Sequence, residues 1–274
     1  MPLRKLLLAP EEAGYSAAPG AAARRLEVEG GRGRHRLDQI GAPSRVDAQW
    51  LCDPMEHNYL LAFYRTMLAE GAGPFLIDLI LDGLLLTERE ARFLRGSMAL
   101  LGQSGESYKV GATLEVTPIE RDAEADMDLV ETFAMPVGGL PVMALTPGSA
   151  DYSMARGDEI RQIGYGLGPL GLAPGYANSA ALVRVSWSVS PLRYQYLVAF
   201  YYTAIAEAAL PFRVPLVIDR DEPDDYVALM IPGTFALEGV AGATYTVGAE
   251  LEVAPLNRDP TFDAAVLAAF PDAP

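Results

Sequence analysis

The sequence predicts a mainly β protein with a flanking helix, built as tandem duplicated β-sandwich or barrel domains. Three observations predict it: an ungapped internal repeat, several stretches in which apolar residues alternate with period two, and one stretch per repeat with helical period. Trp50 in VDAQW and Trp187 in VRVSW lie 187 − 50 = 137 residues apart, half of the 274-residue chain. The same offset pairs Pro54 with Pro191, Tyr59 with Tyr196, Phe63-Tyr64 with Phe200-Tyr201 and Pro74-Phe75 with Pro211-Phe212. It continues through Asp82 and Asp219, Gly96 and Gly233, Tyr108 and Tyr245, Leu114-Glu115-Val116 and Leu251-Glu252-Val253, and Arg121-Asp122 and Arg258-Asp259. Upstream, Pro10 matches Pro147, Tyr15-Ser16 match Tyr152-Ser153, and Gly20 matches Gly157. The expected organisation is a first domain over 1–137 and a second over 138–274.

Each copy opens on a strand. Val46, Ala48, Trp50 and Cys52 alternate with more polar neighbours, as do Val183, Val185, Trp187 and Val189. Asp53-Pro54 and Ser190-Pro191 then offer an N-cap residue followed by proline at the first helical position. Tyr59, Leu60, Phe63, Tyr64, Met67 and Leu68 fall at helical spacing, matched by Tyr196, Leu197, Phe200, Tyr201 and Ile205. Such an aromatic stripe is expected to pack on a sheet, which makes Trp50, Trp187, Phe63 and Phe200 the core anchors. Gly71 is expected to terminate the first helix, whereas its counterpart Ala208 gives no such signal.

Phe75, Ile77, Leu79 and Leu81, with Phe212, Val214, Leu216 and Ile218, predict a second strand. Pro215 lacks a donor and suggests an edge or bulge there. Strands over about 91–101 and 108–116, turning at Gly102 and Gly105, and over about 228–237 and 245–253, turning at Gly239 and Gly242, predict a hairpin in each copy. The stretches 1–44 and 138–180, rich in Gly, Pro and Ala, are expected to be arms and loops.

Composition narrows the chemistry. The chain carries a formal −15, divided as −7 and −8 between the halves, so the basic footprint of a phosphate-gripping protein is missing. One cysteine, Cys52, excludes an internal disulfide, and two histidines leave little for a His/Cys metal site. The apolar run Leu6–Ala9 is too short for a signal peptide, and no window reaches the ~18 apolar residues of a membrane helix.

Cys52 aligns with Val189, which marks it as a core filler rather than a nucleophile. His57 aligns with Tyr194 and His35 with Leu172, so neither histidine recurs and no catalytic constellation is common to both copies. No metal or cofactor is expected. The acidic clusters Asp219–Asp225 and Glu120–Asp128 read as solvated segments, and the run Arg32–Arg36 as pairing with acidic surface in the chain or on a neighbour. On the closing strand, Tyr108, Val110, Ala112, Leu114 and Val116 form a core face, repeated at Tyr245, Val247, Ala249, Leu251 and Val253. Opposite lie Lys109, Gly111, Thr113 and Glu115, and Thr246, Gly248, Glu250 and Glu252, an acidic face that either meets solvent or lines a channel.

In the second half the pattern reads Trp187, Phe200-Tyr201, Pro211-Phe212, Pro232-Gly233 and Leu251-Glu252-Val253, and the first half follows it. This pattern resembles the tail tube and tail ring proteins of long-tailed bacteriophages. The resemblance implies a β-sandwich or barrel with a flanking helix, stacked rings, and a lumen through which DNA leaves the capsid. Two-domain members form trimeric rings of pseudo-sixfold symmetry, so the implied partners are other copies of the chain, other tail proteins, and DNA passing without tight binding. It implies a place in the virion tail after assembly in the host cytoplasm, no enzymatic activity, and Glu115, Glu250 and Glu252 as lumen-lining residues. The alternatives are a distal tail or tail-end ring protein joining tube to baseplate, a tandem carbohydrate-binding module using exposed aromatics, and, behind both, an enzyme.

Overall fold

In the computed structural model, the structure describes residues 3–11, 14–26, 33–38, 41–81, 86–118, 121–148, 153–155, 160–163, 171–174, 180–218 and 223–254. The first half runs β1 (Arg4–Lys5), β2 (Ser16–Ala18), β3 (Ala23–Leu26), β4 (Arg34–Leu37) and β5 (Ser44–Cys52). Helix α1 (Pro54–Ala62) follows and passes into a π-helical turn at Phe63–Met67. Then come β6 (Phe75–Leu79), β7 (Thr87–Phe93), β8 (Ala99–Ser104), β9 (Ser107–Val116) and helix α2 (Ala123–Phe133). The second half runs β10 (Ser153–Ala155), β11 (Ile160–Ile163), β12 (Gly171–Pro174), β13 (Ala181–Val189), α3 (Pro191–Ala199) with its π-helical turn at Phe200–Ala204, β14 (Phe212–Leu216), β15 (Asp224–Met230), β16 (Ala236–Ala241) and β17 (Thr244–Val253). The protein is mainly β with flanking helices.

Bonds as well as bounds recur 137 positions apart. Trp50 donates its indole N–H to Leu8 O and Trp187 to Leu145 O, both at 3.2 Å. Trp50 stands opposite Val110 in the β5–β9 ladder, as Trp187 stands opposite Val247 in the β13–β17 ladder. His57 stacks on Tyr108 at 4.5 Å and Tyr194 on Tyr245 at 4.9 Å. Phe63 meets Phe75 edge-on at 5.6 Å, and Phe200 meets Phe212 at 5.4 Å. All four anchors, Trp50, Trp187, Phe63 and Phe200, are buried.

Sequence chemistry explains the helices. Asp53 accepts from Met55 N and Glu56 N at 2.7 and 2.8 Å while Glu56 accepts from Asp53 N, a reciprocal capping box. Pro54 and Pro191 occupy first-turn positions where no N–H is needed. Both helices end through i→i+5 bonds, Leu68 N to Phe63 O and Ile205 N to Phe200 O, each 3.1 Å. Left-handed residues follow: Ala69, Glu70 and Gly71 in one half, Ala206, Glu207 and Ala208 in the other. Ala208 therefore adopts the conformation expected only of Gly71, with φ +70° against +79°. A Cβ at Gly71 would strike the Tyr64 ring, whereas Tyr201, the counterpart of Tyr64, stacks on Phe235 at 4.7 Å.

Four expectations need correction. The stretches about 91–101 and 228–237 are not single strands, because left-handed glycines at Gly96 (φ +71°) and Gly233 (φ +80°) break each into two. Gly102 and Gly239 sit at bulges within β8 and β16, and the turns fall at Gly105 and Gly242. The segment around Glu120–Asp128 is mostly helix α2, capped by Asp122, which accepts from Glu124 N and Ala125 N. Glu120 lies outside the described residues. The arms also carry short strands, β1 to β4 and β10 to β12.

Thirteen strands form one sheet, whose main path is β1-β6-β7-β9-β5-β2-β16-β17-β13-β10. β2 bridges the halves: it pairs with β5 through Ser16–Ala18 and with β16 through Ala17 opposite Leu237. Among the described residues β14 pairs with β15 and is joined on its other edge only by a bridge at Arg213, which leaves Pro215 at an edge position. The buried apolar side chains make one continuous cluster spanning both halves.

Candidate functional site

Polar contacts join the first half to the second at several places. The hairpin β3–β4 lies against β17, where Glu252, only 1% exposed, accepts from Gly33 N at 2.6 Å and from Arg25 Nε at 3.0 Å. His35 Nδ1 is 2.8 Å from Ala208 O. Tyr194 donates its hydroxyl to Leu81 O at 2.6 Å. Glu207 beside this junction is partly buried, which pushes its carboxyl above the usual range, and a hydrogen bond from the Gly41 backbone opposes that shift.

Helix α2 completes the cover. Asp126 is buried, binds Arg121 through both oxygens at 2.6 and 2.7 Å, and accepts from Thr203 Oγ1 at 3.1 Å. Phe133 stacks on Tyr196 at 4.4 Å, and the Arg121 guanidinium lies 5.4 Å over the Tyr202 ring. Tyr196 also accepts from Ala144 N at 2.8 Å, and its burial raises the phenol to about 12. The acidic residues of α2 suggest a solvated segment in sequence, yet they belong to a helix that buries Asp126 and Val130. Met127, Val130 and Phe133 at helical spacing after the Asp122 cap were the available signal.

The first half presents the counterparts of this face uncovered. Leu100 is 55% exposed where Leu237 is 1%, and Glu115 is exposed where Glu252 is buried. Ala62 and Met67 are exposed where Ala199 and Ala204 are buried. Tyr59, Ala62, Phe63, Thr66 and Met67, with Arg4 and Lys5, line an open groove of about 320 Å³ beside α1.

Cys52 is buried on β5, and burial pushes its thiol up to about 11, which suits a core filler and not a nucleophile. His57 is spent on its stack with Tyr108. Among the described residues, no three His, Cys, Asp or Glu side chains are placed to hold a metal ion. Asp224 and Asp225 are exposed at the start of β15, while 219–222 of that acidic cluster lie outside the described residues. In the basic run, Gly33 and His35 meet the second half, Arg36 pairs with Asp38 at 3.3 Å, and Arg32 lies outside the described residues. Of the three acidic lumen candidates, Glu115 and Glu250 are exposed. Glu252, by contrast, is buried beneath hairpin β3–β4 and both its oxygens are engaged, so it is not exposed as the sequence suggests.

No helix among the described residues is long and apolar enough to cross a membrane. Comparison of the sequence with protein-family models finds no match, and comparison with curated proteins finds no matching relative.

Proposed function

We propose that the chain is a structural subunit of a phage tail tube, three copies of which close a ring of six similar units around a DNA conduit. The observation that carries this reading is the pairing of β2 with strands of both halves, which sets the halves side by side in one sheet while the first half's counterpart face stays open. Repetition of that junction from chain to chain is heterologous association, and heterologous association closes into a ring when the rotation per step divides a full turn. Two units per chain then require three chains for six. Closure also removes the free strand edges that otherwise invite open-ended pairing.

The charge supports a conduit rather than a nucleic-acid binder. Three chains carry three times −15, a formal −45. Acidic walls repel phosphates, so DNA passes without sticking. Glu250, exposed on the side of β17 opposite its core face, is the wall residue this reading keeps first.

Negative-stain electron microscopy of the purified protein tests the proposal. Stacked rings or tubes with three chains per ring are expected. Six chains per ring, or a monomer that binds glycans and forms no ring, overturns it. A single unstacked ring in virions moves the role to the distal tail or tail end.

A further inference from the structure

We propose that the open groove beside α1 is the docking site for the C-terminal segment Arg258–Phe270 of a second copy of this chain. The argument begins with what covers the matching groove in the second half. There α2, which ends the first half, seats Phe133 on Tyr196 and Asp126 against Thr203. Beside α1 the corresponding residues are Tyr59 and Thr66, and no described residue takes the place of α2.

The sequence that ends the second half carries the matching key. At the 137-residue offset, Arg121, Asp122, Asp126, Val130 and Phe133 become Arg258, Asp259, Asp263, Leu267 and Phe270. Ala123 becomes Pro260, which suits the first helical position after an Asp cap. The capping residue, the buried acid with its arginine, and the two apolar anchors are thus all repeated. Tyr202 alone has an unsuited counterpart, Arg65, so the contact of Arg121 with the Tyr202 ring has no equivalent.

A second copy is the occupant because the first copy of the key is used forward: α2 leaves one half and lies on the next. The same step taken from the second half leads to the first half of another chain. Strand edges agree with this direction. β2 adds to β16 at Ala17 and Leu237, while β10, the counterpart of β2, has no partner on its outer edge among the described residues, and β8, the counterpart of β16, pairs only with β9. Placing β10 of one copy on β8 of the next sets Met154 opposite Leu100 and covers that exposed leucine. The inference shares with the tail-tube reading only the premise that copies join head to tail, and it makes no use of DNA.

Mixed-chain cross-linking tests it. Full-length Thr66→Cys and Asp263→Cys chains, each also carrying Cys52→Val and distinguished by different tags, are mixed and mildly oxidised. The expected result is a disulfide-linked heterodimer at least ten times more abundant than with Glu106→Cys replacing Thr66→Cys. Chains bearing both cysteines should give a ladder of linked copies. A linked monomer in that experiment places the segment in its own chain's groove and overturns the proposal, as does the absence of any link. Ala62→Arg, at an exposed position that packs no core, should abolish assembly while leaving the far-ultraviolet spectrum unchanged. Rings that form without the cross-link overturn this docking and leave the tube reading standing, whereas a cross-link without rings supports the docking and counts against the tube.

Discussion

Tyr194 and Leu81, 113 residues apart in the chain, are joined by a buried hydrogen bond of 2.6 Å from the tyrosine hydroxyl to the leucine carbonyl. The bond fastens α3 of the second half to the segment that follows β6 in the first. Its counterpart from α1 would start at His57, which is stacked on Tyr108 but has no phenol to extend outward. Tyr194→Phe keeps the ring that stacks on Tyr245 and removes the hydroxyl that donates to Leu81 O. The expected loss is about 1 to 3 kcal/mol in urea unfolding. An unchanged midpoint would mean the bond contributes nothing to holding the halves together.

The two tryptophans give a paired prediction. Trp50 and Trp187 are 2% and 1% exposed, and each ties the strand it stands on to the arm upstream through its indole N–H. Substitution of either by Ala should destabilise the protein by roughly 3 to 5 kcal/mol, the range for a large core aromatic. A change below about 1 kcal/mol at both sites would contradict the packing described here.

The tryptophan strands, the aromatic helices and the alternation of the closing strands were legible because each expresses a strong local period over nine or ten residues. The turns at Gly96 and Gly233 were hidden inside apolar runs that look continuous. Helix α2 was hidden by charge: Asp126 looks solvated in sequence and is buried only because Arg121 and Thr203 meet it. Glu252 misled in the same way, for a polar face opposite a core face is ordinarily solvent-exposed. What covers it, the β3–β4 hairpin, comes from more than 200 residues upstream and has no signature on β17 itself.

Cys52 should be silent in the folded chain. Desolvation foremost, together with the nearby charges of Glu56, Asp53 and Glu11, raises its thiol to about 11. At pH 8 almost no thiolate forms, so a thiol reagent should react on the timescale of unfolding. One equivalent per chain should react promptly in denaturant. Fast reaction of the native protein would show that the β5 core face is open to solvent.

Glu207 predicts a pH dependence with a definite sign. Burial raises its pKa above the unfolded value of 4.5, so above that pH the folded state retains proton more strongly than the unfolded state. The group's contribution is fully favourable below the unfolded pKa and is lost as pH rises through the folded pKa. Glu207→Gln keeps an acceptor for Gly41 N–H and cannot ionise. It should therefore raise the unfolding midpoint relative to the parent at pH 7 and leave it nearly unchanged at pH 3.5. Equal differences at both pH values would show that ionisation at this position is not what burial opposes.

The acidic residues of the closing strands separate the roles proposed for them. Glu252 is enclosed by Arg25 and Gly33, so Glu252→Lys buries a positive charge beside Arg25 and should prevent folding or unseat the β3–β4 hairpin. Glu115 holds the same position on β9 but is exposed, and on the proposed head-to-tail docking a second copy would close over it. Glu115→Lys should leave the isolated chain folded and weaken assembly. Glu250, exposed beside Arg184 in the β13–β17 ladder, belongs to neither junction. On the tail-tube reading, Glu250→Lys should leave assembly intact and slow or stall DNA in the proposed lumen. The effect should fade as salt rises, because screening shortens the reach of the wall charge to about 8 Å at physiological ionic strength. Measured by DNA ejection from assembled particles at low and high salt, normal ejection by the Glu250→Lys particle at both would remove Glu250 from the lumen wall. Lost assembly with that variant would place it at a contact between copies.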